Sequence, residues 1–248
     1  MRLAVLSLLL LTMASVVWAT PQAASEAYKD GNRLYENGDY RASIEAYQKV
    51  LELEWTAPEL EYNLGNAYLK NGQLGFAVLH YRRALKLNPR YGNAQANLEH
   101  ARSLTQDVVS EDGTNRMEWL STFRLGLQAT AVLSVLFFLS MIVLAILRLR
   151  LLREKFWALV LQNMCGVVAL LFLAGFIFEW SQAHDDSEGV LTVEETTVRT
   201  GPGDTHTISF KLHEGTEMEL LREASGWVEI KISDGLQGWV PEDAVERI

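Results

Sequence analysis

Hydrophobic and polar positions along this chain follow three successive patterns. Up to Leu104 the apolar residues recur at helical spacing, as in Ala94, Leu98, Ala101 and Leu104. From Leu125 to Phe178 periodicity disappears. Two apolar runs, Leu125–Leu147 and Phe156–Phe178, contain no Asp, Glu, Lys or Arg. At about 23 residues each they are long enough to cross roughly 30 Å of hydrocarbon as helices. From Val190 the period falls to two: Val228, Ile230 and Ile232 alternate with Glu229 and Lys231, as in a half-buried strand. The pattern predicts a multidomain chain, α then β, with a two-helix transmembrane hairpin in the middle.

Residues 148–155, Arg-Leu-Arg-Leu-Leu-Arg-Glu-Lys, form a short connection that makes the two apolar helices antiparallel. The excess of cations places this loop in the cytoplasm, and both flanking segments on the far side. Trp119, Phe123, Trp157 and Trp180 sit where aromatic residues meet membrane interfaces. The alternative is a buried helical pair in a soluble protein, which the lack of charge and the flanking arginines oppose. Within the second run, Gln162, Asn163, Cys165 and Gly166 are the polar or small positions. Their amides either bond Ser134 and Ser140 of the first helix or meet another membrane protein.

Residues 24–91 repeat with a period of 34. Gly31 returns as Gly65, Asn32 as Asn66, Asn37-Gly38 as Asn71-Gly72 and Tyr47 as Tyr81. This period, with Ala77, Ala84 and Asn88-Pro89 in the second copy, resembles the tetratricopeptide-repeat family, a stack of helix–turn–helix units. The first copy departs from the pattern at Asp30, Ser43 and Trp55. Residues 92–106 read as a capping helix. In that family the first helix of each unit lines a peptide-holding groove. The resemblance therefore implies groove positions Tyr28, Asn32, Tyr35, Glu36, Tyr62, Asn66, Leu69 and Lys70. The other reading of these residues is a solvated helical face. The family's carboxylate clamp has a lysine where Tyr28 stands, so a C-terminal carboxylate is not implied.

Short strands are expected at Leu191–Val198, Thr207–Leu212, Glu217–Leu221, Val228–Ile232 and Gly238–Val240. Turns fall at Gly201-Pro202-Gly203, Glu214-Gly215 and Asp234-Gly235, and the whole suggests a small closed barrel. Thr197–Pro202, Gly226-Trp227-Val228 and Gly238-Trp239-Val240 resemble the bacterial SH3 domain over 188–248. Trp227 and Trp239 are its candidate ligand surface, by stacking, with core or rim packing the favoured reading. Arg199 is expected to brace the first loop.

The chain carries a net charge of −9, and the segment from Ser181 holds about 15 acids against five Lys and Arg. An acidic exported tail argues against nucleic acid. The single cysteine, Cys165, excludes an intramolecular disulfide and a thiolate metal cage. No phosphate loop, nucleophile elbow or zinc-helix motif occurs, and no cofactor, metal or enzymatic activity is expected. His184-Asp185-Asp186 is not read as a metal site, and His80, His100, His206 and His213 are expected on the surface. Residues 1–19 read as a signal peptide cleaved after Ala19, with an uncleaved anchor as the alternative. Either form exports the repeats.

The expected order is signal 1–19, an α-helical tetratricopeptide repeat domain 20–106 with units 24–57 and 58–91, and a linker 107–124. Helices 125–147 and 156–178 follow around the loop 148–155, then a linker 179–187 and a small SH3-like β-barrel 188–248. As an ensemble this resembles the repeat-bearing, BatE-like members of the Bacteroides aerotolerance (Bat) family. The resemblance implies a scaffold in the bacterial inner membrane, with both soluble domains in the periplasm. Its implied partners are von Willebrand factor A-domain membrane proteins and a MoxR-type ATPase, in envelope stress or aerotolerance. A peptidoglycan tether through the SH3-like domain is the alternative, and an enzyme accessory or sensor is a third reading.

Overall fold

The computed structural model describes residues 22–107, 127–150, 156–183 and 187–248. The expected signal, residues 108–124 of the linker, residues 151–155 of the basic loop and the His184-Asp185-Asp186 cluster lie outside them. The chain forms two compact units: the repeats together with the β-module, and the two long apolar helices.

Five helices open the first unit: α1 (22–36), α2 (Tyr40–Glu52), α3 (Pro58–Lys70), α4 (Leu74–Leu87) and α5 (Gly92–Leu104). Gly38 and Gly72 end the first helix of each repeat at φ 81° and 80°, a left-handed conformation that glycine adopts without a Cβ clash. Pro58 starts α3, where its missing N–H costs nothing. The side chain of Asp39 caps α2 by accepting from the Ala42 N–H at 3.3 Å. Leu60, Leu64, Ala77, Tyr47 and Tyr81 form the fully buried helical core. A Cβ on Gly31 would lie 2.5 Å from the Tyr47 ring, and one on Gly65 2.6 Å from the Tyr81 ring. The repeated glycine is thus the space that the repeated tyrosine fills.

The departures of the first copy have structural causes. Ser43 is fully buried and donates to the Gly31 carbonyl at 2.9 Å. Asp30 is exposed and pairs with Arg33. Trp55 packs edge-on against Tyr28, centroids 5.8 Å apart. His80, expected on the surface, is buried in α4 at 2.7 Å from buried Glu61, with its ring stacked on Tyr68. The corresponding positions of the first repeat are Ala46 and Ala27, so this polar pair belongs to the second repeat alone.

The β-module has seven strands: β1 (Glu188–Leu191), β2 (Glu195–Arg199), β3 (Ile208–His213), β4 (Glu217–Ala224), β5 (Trp227–Lys231), β6 (Gln237–Pro241) and β7 (Val245–Arg247). They form one antiparallel sheet in the order β3-β2-β6-β5-β4-β1-β7, so β3 and β7 are its edges rather than neighbours in a closed ladder. The single strand expected at Leu191–Val198 is two. β1 pairs with β4 and β7, whereas β2 pairs with β3 and β6. Local alternation cannot reveal that a run changes partners midway. Leu191, Val198, Leu212, Met218, Val228, Ile230 and Val240 form the module's own core.

The second unit contains α6 (Leu127–Arg150) and α7 (Phe156–Ala183), antiparallel neighbours over most of their lengths. Both contain spans, Ala129–Leu147 and Leu159–Phe178, long and apolar enough to cross a membrane, with most side chains facing outward. α7 continues five residues beyond the apolar run, to Ala183, so the first part of the expected 179–187 linker is helical. Phe137 stacks on Phe172 with centroids 5.6 Å apart, and Met141 lies against Gly166. Of the two readings of the amides, the bonds to Ser134 and Ser140 do not form among the described residues. Ser134 donates to the Ala169 carbonyl at 3.3 Å, Ser140 to its own helix at Phe137, and Gln162 Oε1 is buried without a partner.

Candidate functional site

On α1, α3 and α5 the repeats carry a polar ladder. The Tyr47 hydroxyl donates to Asn32 Oδ1 at 2.7 Å, and the Tyr81 hydroxyl to Asn66 Oδ1 at 2.8 Å. One helix on, the Asn63 amide donates to the Tyr28 hydroxyl at 3.0 Å and to Asn32 Oδ1 at 3.2 Å. After another 34 residues the Asn97 amide donates to the Tyr62 hydroxyl at 3.3 Å and to Asn66 Oδ1 at 2.7 Å. α5 therefore supplies the rung that the first helix of a third repeat would supply. Burial raises the phenol of Tyr47 to about 12 and pushes Tyr81 up in the same direction. Both hydroxyls stay protonated donors throughout the physiological range.

All eight expected groove residues lie on α1 and α3. The carbonyl oxygens of Asn32 and Asn66 are taken up by the ladder, and their amide nitrogens make no hydrogen bond among the described residues. Tyr28 and Tyr62 are half-buried acceptors in the same ladder. Tyr35 packs against Tyr40, Leu69 is half-buried against the core, and Glu36 and Lys70 are exposed. Sequence reasoning missed Asn63 and Asn97 as site residues, although they are separated by the same 34-residue period. It also missed Tyr91, whose ring lies 5.1 Å from that of Tyr62. With Tyr28 and exposed Trp55, these rings give the ladder an aromatic border.

The β-module packs on α4 and on the end of α5, leaving the ladder to the first helices. β1 is shared between two cores: Val190 is buried in the helical core and Leu191 in the β core, as the two-residue strand period dictates. Ile248 joins the helical core as well. Two glycines permit the approach. A Cβ on Gly75 would run into the Leu191 carbonyl oxygen and reach 2.9 Å from Thr192 Cα. A Cβ on Gly215 would come within 2.6 Å of Thr105.

Polar groups align this joint. Gln73 stands where Asp39 caps the first repeat, and it caps nothing. In its place Glu214 of the β-module accepts from the Gly75 N–H at 3.1 Å, setting a carboxylate at the start of α4. Asp107, read as the first linker residue, accepts from the His213 N–H at 2.7 Å, the His213 ring at 3.0 Å and the Thr216 hydroxyl at 2.7 Å. Burial opposes ionisation of Asp107, but these hydrogen bonds outweigh it and hold its carboxyl below the usual range. His213 is therefore a half-buried joint residue rather than a free surface histidine. Arg102 grips Glu217 with two hydrogen bonds, at 2.6 and 3.0 Å, and Arg82 Nε lies 3.0 Å from the same carboxylate.

On the β-module, Trp239 is 5% exposed and covered by Arg222, whose guanidinium lies 5.2 Å from the ring centroid and pairs with Glu229. Trp227 is half-buried at the strand end. Arg199 does brace its loop, donating to the Asp204 and His206 carbonyls at 2.8 Å each.

Comparison with known proteins agrees with this geometry. A TPR repeat model matches residues 31–72, a tetratricopeptide repeat model residues 58–91 and a bacterial SH3 domain model residues 194–246. The small glutamine-rich tetratricopeptide repeat-containing protein 2 of Mycosarcoma maydis is 35% identical over 78 residues, 32% of this chain and 22% of that protein. The photosystem I assembly protein Ycf3 of Rippkaea orientalis is 31% identical over 98 residues, 37% of this chain and 57% of that protein. The putative N-acetylmuramoyl-L-alanine amidase YrvJ of Bacillus subtilis is 29% identical over 75 residues, 30% of this chain and 14% of that protein. The chain thus spans less than two thirds of the length of each of these relatives. It carries tetratricopeptide repeats and a bacterial SH3 domain, separated by two helices of membrane-spanning length.

Proposed function

We propose that this protein is a membrane-anchored scaffold that holds a protein or peptide partner on the α1–α3–α5 face of its repeats. The observation that carries this reading is the amide ladder. Asn32 and Asn66 are fixed by their oxygens, which leaves two oriented amide NH2 groups beside half-buried aromatic rings. The bacterial SH3 domain rests on α4 and so leaves that face accessible. The protein acts by binding and not by catalysis.

The hairpin spans the inner membrane, and both soluble modules lie in the periplasm. The cationic loop between the helices supports this orientation. The joint supports the modules' lying on one side, since modules flanking a hairpin can dock only if an even number of crossings returns the chain there. The order of modules supports a Bat-type role, beside von Willebrand factor A-domain membrane proteins and a MoxR-type ATPase in envelope stress or aerotolerance. The test is co-purification from detergent-solubilised membranes with Glu36→Lys plus Lys70→Glu, two exposed residues outside the ladder. Loss of the partner is expected, and unchanged recovery removes the groove from the account.

A second reading, a peptidoglycan tether, is supported by the match to a bacterial SH3 domain and by the likeness to a putative amidase. Trp227 is the more accessible stacking surface, since Arg222 covers Trp239. Sedimentation of the full chain with purified sacculi separates the readings. Retention lost on Trp227→Ala favours the tether, and no specific retention favours the scaffold.

A further inference from the structure

We propose that the hairpin self-associates through one flank of α7, with Asn163 of each copy bonded to Asn163 of the other. This rests on the reading that the hairpin spans a membrane. Asn163 is exposed and lies about one turn inside the Leu159–Phe178 span, roughly 6 Å from its start, and its side chain makes no hydrogen bond among the described residues. An amide facing hydrocarbon has no water to satisfy it, so a partner helix is its available source of hydrogen bonds.

The residues around it form a seam. Phe156, Val160, Asn163, Val167, Leu170, Ala174 and Ile177 follow one another at alternating steps of four and three, and every one is exposed. That is the heptad spacing with which parallel helices interlock, with a single asparagine at one core position to fix register. α6 leaves this flank uncovered and packs instead along Gly166 and Ala169.

Two features point to a second copy of this chain as the occupant. An amide is at once donor and acceptor, so asparagine is complementary to itself. Two copies inserted in the same direction also present Asn163 at the same depth, so a two-fold axis along the membrane normal brings the amides together without adjustment. A different protein would need its own polar group at that depth.

The test uses the full chain in native membranes. In a Cys165→Ser background, single cysteines at Val160, Asn163, Met164, Val167, Val168 and Leu170 are oxidised in turn. Disulfide-linked dimers are expected from the positions 160, 163, 167 and 170, and few from 164 and 168. Without added cysteine, Asn163→Leu is expected to weaken dimerisation measured by energy transfer in lipid vesicles about 3- to 30-fold, while Asn163→Gln retains most of it. Cross-linking without the four–three period, an unchanged dimer in Asn163→Leu, or an adduct to a different membrane protein overturns the proposal. Release of the chain by alkaline carbonate overturns the membrane reading and the proposal with it. Retention without periodic cross-linking overturns self-association alone.

Discussion

Two polar seams run through the soluble unit, and they are built differently. The ladder of Asn32, Asn63, Asn66 and Asn97 repeats every 34 residues with near-identical geometry. The joint between repeats and SH3 domain uses each residue once: Gly75, Glu214, Asp107, His213, Thr216 and Glu217 have no periodic counterparts in the contact. Repetition makes the ladder tolerant, because each rung has a neighbour of the same kind. The joint has no such reserve. It joins the repeats to the β-module along α4 and the end of α5, where Val190 and Ile248 enter the helical core.

That contrast can be broken most severely at Tyr81, which is fully buried. Tyr81→Ala should cost about 3–5 kcal/mol, since it removes a core ring and a rung together. Chemical denaturation of the whole soluble unit should register it, and a loss below 1 kcal/mol would mean that the ladder is ornamental. Next comes the joint. Gly75→Val should cost about 1–3 kcal/mol by overpacking and separate the modules. Two unfolding transitions in place of one, with faster proteolysis at the joint, are the expected signature.

Asp107→Ala leaves the His213 N–H without its acceptor, at about 1–3 kcal/mol, while the Thr216 hydroxyl keeps the His213 carbonyl at 2.8 Å. The same carboxylate links the joint to pH. Its folded value is depressed, so its contribution is present above the ordinary carboxylate range of about 4 and is lost as pH falls through the lower folded value. Hydrogen exchange across β3 and β4 should rise there and leave α1 and α2 unchanged. The ladder responds at the other end of the scale. Tyr47 keeps its proton to about 12 when folded, whereas unfolded phenols ionise near 10. Stability from Tyr47 is therefore complete below pH 10 and lost between the two values, which absorbance of phenolate against unfolding will show. The smallest expected effect is at Arg33→Ala, an exposed pair with Asp30, at about 0–0.5 kcal/mol by thermal melting. A larger loss would show that surface charge holds the first repeat.

Periodic features were legible in the residues. The 34-residue spacing marked Gly31, Gly65, Tyr47 and Tyr81, and the structure gives the reason, a ring filling the space above each glycine. The apolar runs marked both long helices, and strand alternation marked most of the sheet. His80 was misread because a single histidine carries no pattern, and its partner Glu61 lies 19 positions away. The split of Leu191–Val198 was missed because the partners of its two halves, β4 and β7 for one and β3 and β6 for the other, lie elsewhere in the chain. Of the candidate groove residues, Asn32 and Asn66 were recognised, but not that their oxygens are already engaged, since Asn63 and Asn97 approach from the next helix. Gln73 held an unused clue: its position lacks the cap that Asp39 provides, and the missing carboxylate comes from Glu214, more than a hundred residues on.

The amino-acid order by itself fixed everything that depends on neighbours within a turn, a strand or one repeat: helix and strand type, the turns at Gly38 and Gly72, and the membrane length of two helices. Local sterics and the energy of burying one face settle those features. The tertiary structure alone decided that repeats and SH3 domain share a core through Val190 and Ile248, that Asp107 and Glu214 join them, and which amide groups remain free. Those outcomes depend on residues brought together across some hundred positions, and no local period encodes which distant carboxylate will meet which N–H.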